Sequence, residues 1–403
     1  RPGCPGHTTW GEMWVRILAV LLRLAQAVAW LFHRVVGPPR SLPPRTLLEF
    51  EAEAKRRLGA TSAAFFYFSY VDGEGLTLRR CREVYDGIRL VPRILRDVSS
   101  VDTSTEAFGS KLRLPVVVAP TAMHRLATPD GEVAMARGAG LAGIGYSFNW
   151  MLSNRRYDEI SQEPGVKWLH LYIYEQRDLV QRALELAASK ELEGVFSAVI
   201  VTSDHPHTRV QDSVVPEFQR SWYTSPVDLS ELVFPNQVAC GMPPMTYLDM
   251  LRMSSEELQN KSGRNDRKLS FDFIRWVKSQ TNLPVVVKGV LCGDDAVAAA
   301  DAGANAVVVS NHGGRQMDSQ VPAIEALPSV VKAVKGRGCD VWVDTGIRKS
   351  TDVVKALCLG AKGVLLGRPC LWGLACGGSE GLKAMVDGLA YDLEADMMSL
   401  GVQ

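Results

Sequence analysis

The 403-residue chain has no pair of cysteines in C-x-x-C spacing. Its eight cysteines, at 4, 81, 240, 292, 339, 358, 370 and 376, are scattered. That excludes the common dithiol and zinc-ribbon motifs and reads as reduced thiols in an intracellular protein. A long run of either charge is also missing. Lys and Arg number 45 against 44 Asp and Glu, a formal net charge of +1, so bulk electrostatics gives no support for nucleic-acid binding. No G-x-G-x-x-G follows the first apolar run of the body, which counts against a doubly wound dinucleotide-binding sheet. The apolar stretch from Met13 to Val36 is broken by Arg23 and Gln26, a poor fit to an ordinary spanning helix. What is present is an ordinary globular composition, 46% hydrophobic and 22% charged, long enough to bury a large core.

Residues 1–40 differ from the rest, with five arginines against one acid, Glu12. On a helix, Arg16, Arg23, Gln26, His33 and Arg34 share one narrow stripe. Three readings stay open: an Arg-rich presequence of mitochondrial kind, an interfacial segment touching a membrane through residues 13–36, or a helix packed on a partner. Gly37–Arg45 contains four prolines and reads as a stiff linker. The expected organisation is therefore a segment 1–45 followed by one domain over 46–403.

The body opens with a helical pattern over Thr46–Leu58 and an aromatic cluster at Ala64–Tyr70. Eight short apolar runs follow: Leu114–Ala119, Gly143–Ser147, Lys167–Ile173, Ala198–Thr202, Pro284–Lys288, Ala306–Ser310, Val341–Asp344 and Gly363–Leu366. Helical stretches such as Asp178–Leu192, Asp294–Ala302 and Ser350–Leu359 separate most of them. Eight strand–helix units predict an α/β fold, a (β/α)8 TIM barrel with an N-terminal helical extension. The long gap between Thr202 and Pro284 predicts a loop after the fourth strand, with Pro216–Arg267 as a cover over the strand ends.

Polar groups collect where these runs end. They include His170 and Tyr172, Thr202 and Asp204, Lys288, Ser310, His312 and Arg315. Asp344, Gly346, Arg348, Gly367 and Arg368 end the last two runs, where barrel loops often hold phosphate. One face of a barrel carrying a base beside a guanidinium fork suits proton or hydride chemistry on a small acid.

These residues resemble a known family, the FMN-dependent 2-hydroxy-acid oxidases and dehydrogenases that include glycolate oxidase. The run Ser310-Asn-His-Gly-Gly-Arg-Gln-Met-Asp318 is similar to that family's histidine signature. Ala119-Pro-Thr-Ala-Met123, Leu171-Tyr-Ile-Tyr174, Val287-Lys-Gly289 and Gly367-Arg-Pro369 match in the same order. The resemblance spans about Thr46 to Leu400. It implies an oxidase of a small 2-hydroxy acid, with FMN as cofactor, oxygen or another electron acceptor, a homo-oligomer and a peroxisomal setting. It assigns His312 as the base, Asp204 as its partner, and Tyr172 and Lys288 as further catalytic groups. Arg315, Arg209, Tyr67 and Trp150 are expected around the substrate. Pro120, Thr121, Ala122, Ser147, His170, Thr202, Lys288 and Ser310 are expected near the flavin ring, and Asp344, Gly346, Arg348, Gly367 and Arg368 near ribityl and phosphate. Trp150 resembles the bulky residue of short-chain members, which points to glycolate or lactate.

Departures from the pattern are His170 in place of Gln, Thr345 in place of Gly, and Thr202-Ser-Asp-His-Pro206 in place of T-V-D-T-P. The segment before Arg209 is about two residues short, and the match at Ser147–Trp150 needs a gap. The chain has no S-K-L-type ending. His124 and His207 read as surface or loop residues. The other classes weighed are a membrane-linked dehydrogenase, a flavin binder without turnover, and a metal-dependent barrel hydrolase built on His205-x-His207, Lys288, His312 and Asp344. Against the hydrolase, the H-x-H pair follows the fourth run rather than the first.

Overall fold

A computed structural model of the chain describes residues 43–402 except 60–61, 207–226, 254–256, 258–259, 262 and 264. The expected segment 1–45, with its membrane-facing stretch 13–36, therefore lies almost wholly outside the described residues, as do Arg209 and His207.

Eight parallel strands close into a barrel in chain order. They are β1 (Val116–Thr121), β2 (Gly145–Asn149), β3 (Lys167–Tyr172), β4 (Phe196–Thr202), β5 (Val285–Val290), β6 (Ala306–Val309), β7 (Asp340–Asp344) and β8 (Gly363–Leu366). Each falls on one of the eight apolar runs. The separating helices sit where the periodicity placed them: Arg177–Ala187, Gly293–Asp301 and Ser350–Cys358. The aromatic cluster is helical over Ala63–Ser69, following a helix over Leu47–Leu58 with a Thr46–Glu49 capping box. Among the described residues no helix is long and apolar enough to cross a membrane.

Strand side chains alternate between two cores. Val117, Trp168, Ile200, Val286, Val308 and Trp342 fill the barrel interior. A short antiparallel hairpin, Thr105–Ala107 with Ser110–Leu112, adds Ala107 and Leu112 to this inner layer, and Phe108 packs on Trp168 with ring centroids 5.4 Å apart. Val116, Val118, Val285, Val287, Val307 and Val309 belong to the outer layer under the helices. The period of two has a consequence at the carboxyl ends. Thr202, Lys288, Ser310 and Asp344 each stand two residues beyond an inward apolar side chain, so each is delivered to the top of the interior.

One close approach fixes the loop after β7. Gly346 has φ +91°, and a Cβ there would lie 2.1 Å from the carbonyl oxygen of Cys81. The helix Leu76–Gly87 thus packs directly on backbone that only glycine supplies. Gly346→Ala is expected to cost about 2 kcal/mol or more through left-handed strain and overlap. Denaturant unfolding measures it, and an unchanged midpoint would contradict the packing.

Candidate active site

The strand ends open into a cavity of about 430 Å³, within the range for a small-molecule site. From β1 come Pro120, Thr121 and, just after it, Ala122; from β3 and β4 come Tyr172 and Thr202. Lys288, His312 and Arg315 line it after β5 and β6, and Asp344, Gly346, Arg348, Gly367 and Arg368 after β7 and β8. Tyr67 enters from the aromatic helix. Behind this wall stand Asp204, Ser310, His170 and Ser147, in the second layer or only partly exposed.

His312 occupies a short 3₁₀ turn with φ +56°, an uncommon backbone state for a non-glycine residue. Its amide donates to Ser310 Oγ at 3.1 Å, which anchors the turn. Its Nδ1 lies 2.9 Å from Asp204 Oδ1. With Nδ1–H donating to the carboxylate, Nε2 is left as a lone pair, the form a base requires. Burial opposes the charge on Asp204, but His312 and Lys288 outweigh it and hold the carboxyl down to about 2. Gly289 makes this possible: at φ +112° it has no Cβ, which would otherwise lie 2.6 Å from Asp204 Cβ.

Lys288 is 4% exposed, and its Nζ donates to Ser310 Oγ at 2.9 Å. The Ser310 hydroxyl donates in turn to Asp344 Oδ2 at 2.9 Å, and Lys288 Nζ sits 3.4 Å from that oxygen. Burial disfavours the ammonium, but Asp344 and Asp204 reverse this and raise its pKa, so Lys288 stays charged. A buried, fixed cation at the barrel centre is the result. Asp344, expected at ribityl, spends its oxygens inside the protein, since Thr345 Oγ1 also donates to Oδ1 at 2.8 Å.

Arg315 donates from Nη1 to the carbonyls of Tyr67 at 3.0 Å and Tyr70 at 3.4 Å, and its guanidinium lies over both rings at 5.3 and 5.4 Å. Among the described residues its Nε and Nη2 have no hydrogen-bond partner, so part of the fork is left for an anion. Arg368 donates to the carbonyls of Phe68, Gly313 and Tyr70. Arg348 pairs with Glu51 at 3.2 Å. Burial, then Arg82, pushes Arg348 down to about 10; burial, then Arg315 and Arg348, pushes Arg368 lower as well. Crowded guanidiniums that depress one another mark a place where a bound anion relieves repulsion. The helix Arg368–Leu400 also begins there, without a side-chain cap on its N-terminus. These donors fit the phosphate of FMN, and the Lys288 cation fits the ring edge that gains charge on reduction.

Two expectations need correction. Trp150 does not line the cavity. Tyr146, Phe148 and Trp150 share the outward parity of β2, so Trp150 is buried in the outer core, stacked on Tyr157 at 4.8 Å with its indole N–H toward Cys240 Sγ at 3.4 Å. Asn149, of inward parity, takes the cavity position. His124 is no surface residue: it is fully buried, bonded through Nε2 to Thr121 Oγ1 at 2.7 Å. Tyr247 and Met250 also line the cavity and were not singled out from sequence; His205, weighed there only in the H-x-H pair, lines it too. Tyr247 and Met250 come from the helix Tyr247–Arg252 in the long loop after β4, whose stretch 207–226 lies outside the described residues. Among the described residues no cluster of three His, Cys, Asp or Glu side chains is arranged for a metal.

The sequence model of the family described as FMN-dependent dehydrogenase matches residues 54–403. The chain belongs to that family. It is 35% identical over 373 residues to an L-lactate oxidase of Nostoc sp., covering 89% of this chain and 94% of that protein. It is 34% identical to glycolate oxidase 3 of Arabidopsis thaliana, covering 88% and 92%. A crystal structure of mandelate oxidase superposes with a TM-score of 0.72 at 32% identity, covering 89% of this chain and 95% of that one. The cofactor of the family is FMN.

Asp204 yields a pH prediction. Its folded pKa of about 2 lies below the ordinary 3.8, so it stabilises the fold above the unfolded value and loses that contribution as pH falls. The wild type should exceed Asp204→Asn by about 2 kcal/mol in urea unfolding at pH 7, with about half of that gone by pH 3. A pH-independent difference would contradict the pairing. Trp150→Phe should lose roughly 1–3 kcal/mol of stability and leave substrate KM unchanged; a shifted KM with intact stability would return Trp150 to the substrate.

Proposed function

We propose that this chain oxidises a small 2-hydroxy acid to the 2-oxo acid with FMN, passing the electrons to oxygen and releasing hydrogen peroxide. The observation that carries the reading is the His312–Asp204 pair at 2.9 Å, set beside Arg315 and Lys288 on one cavity. Relatives named for oxidation of lactate, glycolate and mandelate support the substrate class.

FMN supplies the two-electron acceptor. His312 Nε2 takes a proton from the 2-hydroxy acid, and Asp204 stabilises the imidazolium that forms. The free edge of Arg315 holds the carboxylate, with the part-buried phenols of Tyr67 and Tyr172 beside it. Burial raises the pKa of both tyrosines, so they act as neutral hydroxyl donors. Lys288 would face the negative charge that FMN gains on reduction. Arg348, Arg368 and the amino end of the last helix would hold the phosphate, and Ser147 and Ser310 stand behind the ring site. Arg209 is a further candidate for the carboxylate clamp. A homo-oligomer and a membrane contact through residues 13–36 belong to the same proposal. Its compartment is intracellular, mitochondrial in the presequence reading of residues 1–45.

Anaerobic addition of glycolate or lactate to the purified yellow protein tests this. Bleaching, with return of colour and peroxide on aeration, is the expected result; slow return in air indicates a dehydrogenase, and no bleaching with any acid a silent binder. His312→Ala should keep the colour and slow bleaching by about 10²–10⁴-fold. Near-normal turnover in that variant would remove His312 as the base.

A further inference from the structure

Two cavity hydroxyls share an arrangement that the reaction as described does not use. Thr121, at the end of β1, meets His124 Nε2 at 2.7 Å. Thr202, at the end of β4, meets His170 Nε2 at 2.8 Å. Both threonines line the cavity, and both histidines are buried, at 0% and 1% exposure. In each ring Nδ1 is buried and has no hydrogen-bond partner among the described residues.

Burial drives both imidazoles toward the neutral form, His124 to about 3 and His170 well below the ordinary value. A neutral ring carries one N–H, on Nδ1 or on Nε2. An Nδ1–H here would be a buried donor with nothing to meet, the kind of orphan that folded proteins rarely keep. Placing the proton on Nε2 satisfies it at the threonine oxygen. Each threonine then accepts from its histidine, and its own O–H must find an acceptor elsewhere. The open direction is the cavity.

We infer that His124 and His170 are positioning residues whose Nε2–H tautomers turn the Thr121 and Thr202 hydroxyls into hydrogen-bond donors aimed at the flavin ring. Two fixed donors on β1 and β4 favour the reduced ring, because its heteroatoms become more negative. Tautomer choice, rather than protonation, sets the polarity of the site. The inference rests on FMN occupying this cavity.

The test is ¹⁵N solid-state NMR of histidine-labelled holoenzyme, with His124→Gln and His170→Gln to assign signals. Both rings should show protonated Nε2 and bare Nδ1, unchanged between pH 5 and 9. The FMN midpoint potential gives a second readout. Thr121→Val and Thr202→Val should each lower the two-electron reduction equilibrium about tenfold, a fall of about 30 mV, whereas the two Gln variants, which can still donate to threonine, should stay near wild type. An Nδ1–H tautomer or an imidazolium, or an unmoved potential in both valine variants, overturns the inference while leaving the flavin reading intact. A chain that binds no FMN fails the flavin reading and this inference together.

Discussion

The charge on Asp204 is the constraint on which the site depends. A carboxylate largely withdrawn from water at a barrel mouth is costly, and it persists because His312 and Lys288 approach it together. Those two residues are themselves tied to one hydroxyl, since Ser310 Oγ receives both the Lys288 ammonium and the His312 amide. Base, cation and carboxylate thus form one connected unit. Moving any one of them leaves another buried charge without its partner.

The surrounding structure keeps this unit in place. Asp318 accepts the amides of Glu74, Leu76 and Thr77, which pins the turn after β6 to the start of the helix Leu76–Gly87. Arg315 and Arg368 gather the carbonyls at the end of the aromatic helix, so Tyr67 is held on the same side as His312. Aromatic helix, β6 turn and β8 loop are therefore fastened by guanidinium–carbonyl bonds rather than by apolar contact alone. Gly289 and Gly346 supply the two close backbone approaches that the assembly requires.

Much of this was legible in the residues. Apolar β-branched runs such as Val285–Val287 and Val307–Val309 mark strands buried on both faces, and all eight strands were found from them. Polar residues following those runs were placed at one barrel mouth, and the structure gathers most of them there. Trp150 was placed at the substrate on resemblance alone, whereas strand parity sets Tyr146, Phe148 and Trp150 on the face opposite Ser147 and Asn149. His124 was read as a surface or loop residue and Tyr247 was not singled out, because the way a segment beyond a strand folds back carries no periodic signal. The contacts of Arg348 with Glu51 and of Arg368 with the carbonyls of Phe68 and Tyr70 were equally invisible, since these partners lie about 300 residues away in the chain.

The central claim is spatial: one flavin ring and one acid share a cavity with His312, Arg315 and Lys288. A crystal structure of the FMN-loaded protein with a 2-oxo acid product tests it most directly. The account predicts the flavin beside Lys288, the carboxylate on Arg315, and the 2-oxygen within hydrogen-bond distance of His312 Nε2. A flavin bound away from Lys288, or an acid held without His312 and Arg315, would contradict it.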